Sequence, residues 1–107
     1  MLRINNLREL DEYISSPSPC IVKIGAACCG ACVITEKSME SSKKNHPNIH
    51  FGTIDCDTCQ EELLEKYQVE ELPVVLFSKN GAICDRVDGR PLSGSELEEK
   101  IKTNFLL

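Results

Sequence analysis

The sequence has no run of basic residues. Its 12 Lys and Arg are scattered among 17 Asp and Glu, for a net charge of -5. A nucleic-acid surface needs clustered positive charge, so that class of function is excluded. No apolar stretch approaches the about 20 residues that a membrane-spanning helix needs. The first residues, MLRINNLREL, have neither an apolar leader core nor a small-residue cleavage site. A soluble cytoplasmic protein is expected, in a compartment that keeps thiols reduced. There is also no internal repeat, low-complexity tract or linker. A chain of 107 residues can build one core without staples. The expected organisation is a single domain over residues 1–107.

Cysteine is abundant, with seven in the chain. A reducing compartment and an odd count both argue against a framework of structural disulfides. Catalytic, metal-binding or buried thiols remain. Three of them, Cys28, Cys29 and Cys32, fall within five residues in the stretch GAACCGACVITEK.

The segments alternate in type. LRI reads as a short edge strand. LRELDEYISS follows with Leu7, Leu10 and Ile14 at helical spacing and Asn6 as a cap. The prolines of SPSP end it. Residues 20–27, CIVKIGAA, form an apolar run that reads as a strand buried on both faces. A helix is expected over residues 30–44 and a strand over 49–55. The stretch DTCQEELLEKYQV reads as another helix, capped by Asp57 or Thr58, with Glu61 or Glu62 completing a capping box. Residues 74–77 and 82–87 then form a hairpin around Asn80-Gly81, which tolerate positive φ. A last amphipathic helix spaces Leu97, Ile101 and Phe105 by four. The order β-α-β-α-β-α-β-β-α is parallel at first and antiparallel at the end. It predicts an α/β fold, a mixed sheet with helices on both faces.

Cys29-Gly30-Ala31-Cys32 is a CxxC motif placed where a buried strand gives way to a helix. Residues three apart at a helix start have neighbouring side chains, so two sulfurs can reach bonding geometry. The free N–H groups and partial positive charge of the helix start favour a thiolate on the first cysteine. The second cysteine can then attack a mixed disulfide formed by the first. Cys29 is the expected nucleophile and Cys32 the resolving thiol. The bland alternative is a pair of small apolar fillers. Further along, Leu72-Pro73-Val74 opens a strand after a helix. Local sequence favours an ordinary trans proline at a strand start. A cis bond would instead turn the preceding backbone into an edge for a substrate strand.

Taken together, the strand IVKIGAAC, the CGAC motif, IDCD, YQVEELPVVLF, KNG, the DG pair ending in Gly89 and the closing helix resemble the thioredoxin family over nearly the whole chain. The resemblance implies a thioredoxin-like fold and a dithiol–disulfide oxidoreductase that reduces protein disulfides. It implies recharging by a thioredoxin reductase, no bound cofactor and a monomer. It also implies a cis proline at Pro73 against the cysteine pair. Substrate would dock at Cys28, Gly30, Ala31, Leu72, Pro73 and Val74.

The chain departs from the family pattern at four places. Ala31 replaces the motif's proline and leaves φ less restricted. Cys28 stands where the family has tryptophan, which this sequence lacks altogether. It reads as a buried or half-exposed free thiol, or else as a third redox partner for Cys29. Lys23 stands where the family has a buried aspartate that serves the second cysteine. Either it snorkels or pairs with an acid, or it is desolvated and exchanges a proton with Cys32. Val33 replaces a basic residue and is expected to pack on the helix face.

A second CxxC, Cys56 to Cys59, leaves three readings: small residues at a helix start, a secondary regulatory pair, or zinc held by Cys29, Cys32, Cys56 and Cys59. Cys20 and Cys84 read as core thiols. His46 and His50 have no partner in the sequence that suggests a catalytic or metal role, and they read as surface residues. A catalytically weak interaction module on the same fold is the remaining rival to the enzyme.

Overall fold

The computed structural model describes residues 1–105, apart from the side chain of Thr58. The elements run β1 (Leu2–Ile4), α1 (Leu7–Ser15), β2 (Cys20–Gly25), α2 (Gly30–Asn45), β3 (His50–Asp55), a 3₁₀ turn (Cys56–Thr58), α3 (Glu61–Lys66), β4 (Val74–Lys79), β5 (Ala82–Asp88) and α4 (Gly94–Phe105). The five strands form one sheet in the order β1-β3-β2-β4-β5. β3 runs parallel to β1 and β2, β4 runs antiparallel to β2, and β5 to β4. This is the mixed α/β sheet that the segment order predicts.

Strand alternation decides what lies under each helix. Side chains along a strand point to opposite faces in turn. Val22 and Ile24 of β2, with Val74 and Leu76 of β4, therefore share one face with Leu10 and Ile14 of α1 and Leu63 and Tyr67 in and after α3. Ile21, Val75 and Phe77 take the other face, with Met39 of α2 and Leu97, Ile101 and Phe105 of α4. Every residue of β2 is buried. By the same parity Lys23, next after Val22, belongs to the face that α2 and α4 cover.

The helices are tied down by polar contacts. The Asn6 side chain accepts the Glu9 N–H and caps α1, as its sequence suggests. Thr35, fully buried in α2, accepts the Leu92 N–H at 3.0 Å and anchors the approach to α4. Ser42 donates to Glu98 Oε2 at 2.6 Å, and His46 Nε2 lies 2.8 Å from Glu98 Oε1. His46 thus has a partner on α4 that lies far away in sequence. His50 sets its ring edge-on to Tyr13.

Three expectations need correction. The helix expected from residue 57 is broken. Asp55 accepts the Asp57 N–H at 2.8 Å and caps the 3₁₀ turn, after which Cys59 and Gln60 are extended. α3 starts only at Glu61, with no side-chain cap. Cys84 is exposed rather than core. β5 is an edge strand with an irregularity here: Ile83 faces Ser78 while Asp85 faces Phe77, which leaves Cys84 as the extra residue of a bulge. Val33 is 48% exposed, because α2 packs through Cys32, Thr35, Met39 and Ser42. The final residues of the sequence's last amphipathic stretch, 106–107, lie outside the described residues.

Phe77 is fully buried, with its ring centroid 6.2 Å from that of Phe105. Phe77→Ala should cost about 3–5 kcal/mol, read as a lower denaturant midpoint. A loss below about 1 kcal/mol would mean that this layer is not close-packed. The Ser42 and His46 contacts hold the Glu98 carboxyl below its ordinary value of 4.5. A lowered folded-state value gives stability that is present above the unfolded value and lost as pH falls through the folded one. The stability gap between the native chain and Glu98→Gln should therefore be widest above pH 4.5 and close in acid. A gap independent of pH would contradict this.

Candidate active site

The buried strand β2 ends at Gly25, and α2 begins five residues later at Gly30. Cys29 is the helix N-cap, with extended backbone at φ -125°. Its sulfur accepts the Cys32 N–H at 3.2 Å, the place where a Ser or Asp oxygen would act. The first turn of α2 carries no acid. Helix-end charge and a donated N–H both favour negative charge on this sulfur over a neutral thiol. Cys29 is half-buried, whereas Cys32 is only 1% exposed. The two form a disulfide, with α-carbons 5.2 Å apart. One sulfur is accessible and capped, and its partner lies behind it.

A cleft of about 350 Å³ runs beside Cys32, lined by Lys23, Gly25, Glu36, Thr53 and Asp55 among others. Lys23 is the buried cation that strand parity places under α2, and its Nζ donates to Glu36 Oε1 at 2.6 Å. Glu36 follows Cys32 by four residues, so both lie on one face of α2. A side chain at Gly25 would meet Cys32 Sγ at 3.1 Å and Lys23 Cε at 3.2 Å. The bare α-carbon there keeps the space between lysine and sulfur open.

The thioredoxin family model matches residues 2–103. The chain belongs to the thioredoxin family. It is 28% identical to the thioredoxin of Mycoplasmoides gallisepticum over 95% of this chain and 100% of that one. It is 30% identical to that of Echinococcus granulosus, over 89% and 86%. Among solved structures, Plasmodium falciparum thioredoxin superposes with a TM-score of 0.83 at 26% identity, covering 97% of this chain and 99% of that one. With the disulfide in place at Cys29 and Cys32, the chain is a thiol–disulfide oxidoreductase of the thioredoxin family.

The other expected residues fall as follows. Gly30 and Ala31 form the first turn of α2, and Cys28 is exposed just before it. The Leu72–Pro73 bond is cis, as the thioredoxin resemblance implies and against the reading from local sequence. Val74, next in the chain, pairs with Ile24 of β2, so the cis bond sits at the sheet end from which the Cys29 loop departs. Lys23 meets an acid, the first of its two readings. Glu36 is the residue sequence reasoning missed. Its only signal was the four-residue spacing from Cys32, opposite a lysine on a buried strand. Cys56 and Cys59 lie on their own turn, and no group of three or more metal-binding side chains occurs among the described residues. The four-thiolate zinc reading therefore has no assembled site.

In the reduced protein a limiting amount of iodoacetamide should label Cys29 well before Cys32. Peptide fragmentation separates the two positions, and preferential labelling of Cys32 would contradict the assigned exposure.

Proposed function

We propose that this thioredoxin-like chain reduces disulfides in proteins, with Cys29 as nucleophile and Cys32 as resolving thiol. The observation that carries the proposal is the capped, accessible Cys29 sulfur in front of a buried Cys32. The Cys29 thiolate attacks a substrate disulfide, and one substrate sulfur leaves as a thiolate that takes up a proton. Cys32 then loses its proton and attacks Cys29, releasing the second substrate thiol and closing the Cys29–Cys32 disulfide. The substrate strand lies along Leu72, Pro73 and Val74, against the loop of Cys28, Gly30 and Ala31. With cysteine in place of a large aromatic at position 28, this surface offers less apolar area to a partner.

Lys23 and Glu36 serve the second step as one unit. The carboxylate of Glu36 accepts the proton of Cys32 across the cleft. Lys23 holds that carboxylate and puts positive charge beside the forming thiolate. The acid thus comes from the helix, where other family members draw it from the strand. A thioredoxin reductase returns two electrons to the pair. The chain works as a monomer in the cytoplasm, as one domain over residues 1–107, with no bound cofactor. Among the described residues no helix is long and apolar enough to cross a membrane.

Reduction of a test protein disulfide, driven by NADPH and thioredoxin reductase, checks the roles. Cys29→Ser should lower turnover by about a thousandfold or more. Cys32→Ser should instead accumulate a mixed disulfide on Cys29. Full turnover in Cys29→Ser would overturn the proposal, and a native chain that binds partners without turnover would favour the interaction module. Glu36→Gln should slow turnover by about tenfold or more and shift its pH profile, with Glu36→Asp restoring part of it. An unchanged profile would remove Glu36 and Lys23 from the mechanism.

A further inference from the structure

Cys56 and Cys59 are not used by the chemistry above, yet their placement parallels that of Cys29 and Cys32. Asp55, which precedes them, pairs with Gly25 across β2 and β3, so both cysteine pairs leave the same end of the sheet. The Cys59 N–H donates to the Cys56 carbonyl at 3.1 Å and closes a single 3₁₀ turn. Side chains three apart eclipse in such a turn. A turn of this kind holds its first and fourth α-carbons below about 7 Å. A disulfide spans about 4.4–6.8 Å. The Cys59 thiol donates to the Asp55 carbonyl at 3.2 Å. Both cysteines are half-buried, so a small disulfide can reach them.

We propose that Cys56 and Cys59 are a second redox dithiol, which closes to a disulfide by exchange with small disulfides. The Cys56 thiolate attacks the small disulfide, forms a mixed disulfide and expels the first small thiolate. Cys59 then loses its proton and attacks Cys56 Sγ, releasing the second. Two electrons pass from the cysteine pair to the small disulfide, and the two protons end on the released thiols.

The surroundings separate this pair from the catalytic one. Burial first, then the charges of Asp57 and Asp55, raises the Cys56 thiol. Burial, then Cys56 and the aspartates, pushes Cys59 up to about 11. Few thiolates form near neutrality, and thiols of high pKa leave slowly once bonded. The second pair therefore closes after the first and reopens slowly. Fully oxidised protein then keeps Cys20, Cys28 and Cys84 as its free thiols.

The test uses the Cys29→Ser/Cys32→Ser chain, so its result is independent of catalysis at the first pair. That chain is incubated with glutathione disulfide, alkylated and digested with trypsin. Residues 45–66 form one tryptic peptide whose only cysteines are Cys56 and Cys59. The expected result is loss of both alkylation sites and a peptide lighter by two hydrogens. Two alkylated cysteines, a stable glutathione adduct, or a link to another cysteine would each overturn the proposal. If circular dichroism shows that the double variant is unfolded, the same peptide is read from oxidised native protein, with the same outcomes deciding.

Discussion

The structure hangs on the passage from a strand that cannot move to a helix that starts beside it. β2 is buried along its whole length, between β3 and β4 and beneath helices on both faces. The loop leaving it therefore delivers Cys29 to a fixed place, the N-cap of α2. There the sulfur does what a capping oxygen does elsewhere, and it gains the helix-end charge that redox chemistry needs. The sulfur accepts an N–H that would otherwise lack an intrahelical partner, so a group needed for chemistry also completes a structural element.

The same constraint reaches the groups around the site. Alternation along β2 puts Lys23 on the α2 face, and the turn length of α2 puts Glu36 one turn beyond Cys32. A cation on a buried strand is costly unless paired, and the carboxylate that pairs with it comes from the element that also carries the resolving cysteine. Gly25 keeps lysine and sulfur in one open space. Charge, cleft and thiol thus follow from one strand direction and one helix register.

Much of this was legible in the sequence because it rests on short-range patterns. The order of elements, the buried character of β2, the Asn80-Gly81 hairpin and the Leu97-Ile101-Phe105 stripe follow from periodicity and turn chemistry. The illegible parts depend on partners distant in the chain. His46 finds Glu98 and Lys23 finds Glu36 only after folding. Cys84 alternates like a core residue, but a bulge beside an edge position exposes it. The helix expected at residue 57 is interrupted because Asp55 caps only a single 3₁₀ turn, after which Cys59 and Gln60 take extended backbone and α3 starts afresh at Glu61. The cis bond at Pro73 came from the family resemblance, since the local sequence favoured the trans form.

The central claim is that Cys29 and Cys32 are a reversible two-electron couple. Its most direct test is a titration of the protein in graded thiol–disulfide buffers, with alkylation and mass analysis of the tryptic peptide covering residues 24–37. The account predicts a reversible transition in which Cys29 and Cys32 lose alkylation together, the ratio of the two forms changing tenfold for about every 30 mV. Independent loss of the two thiols, or no disulfide between them under any buffer, would contradict it.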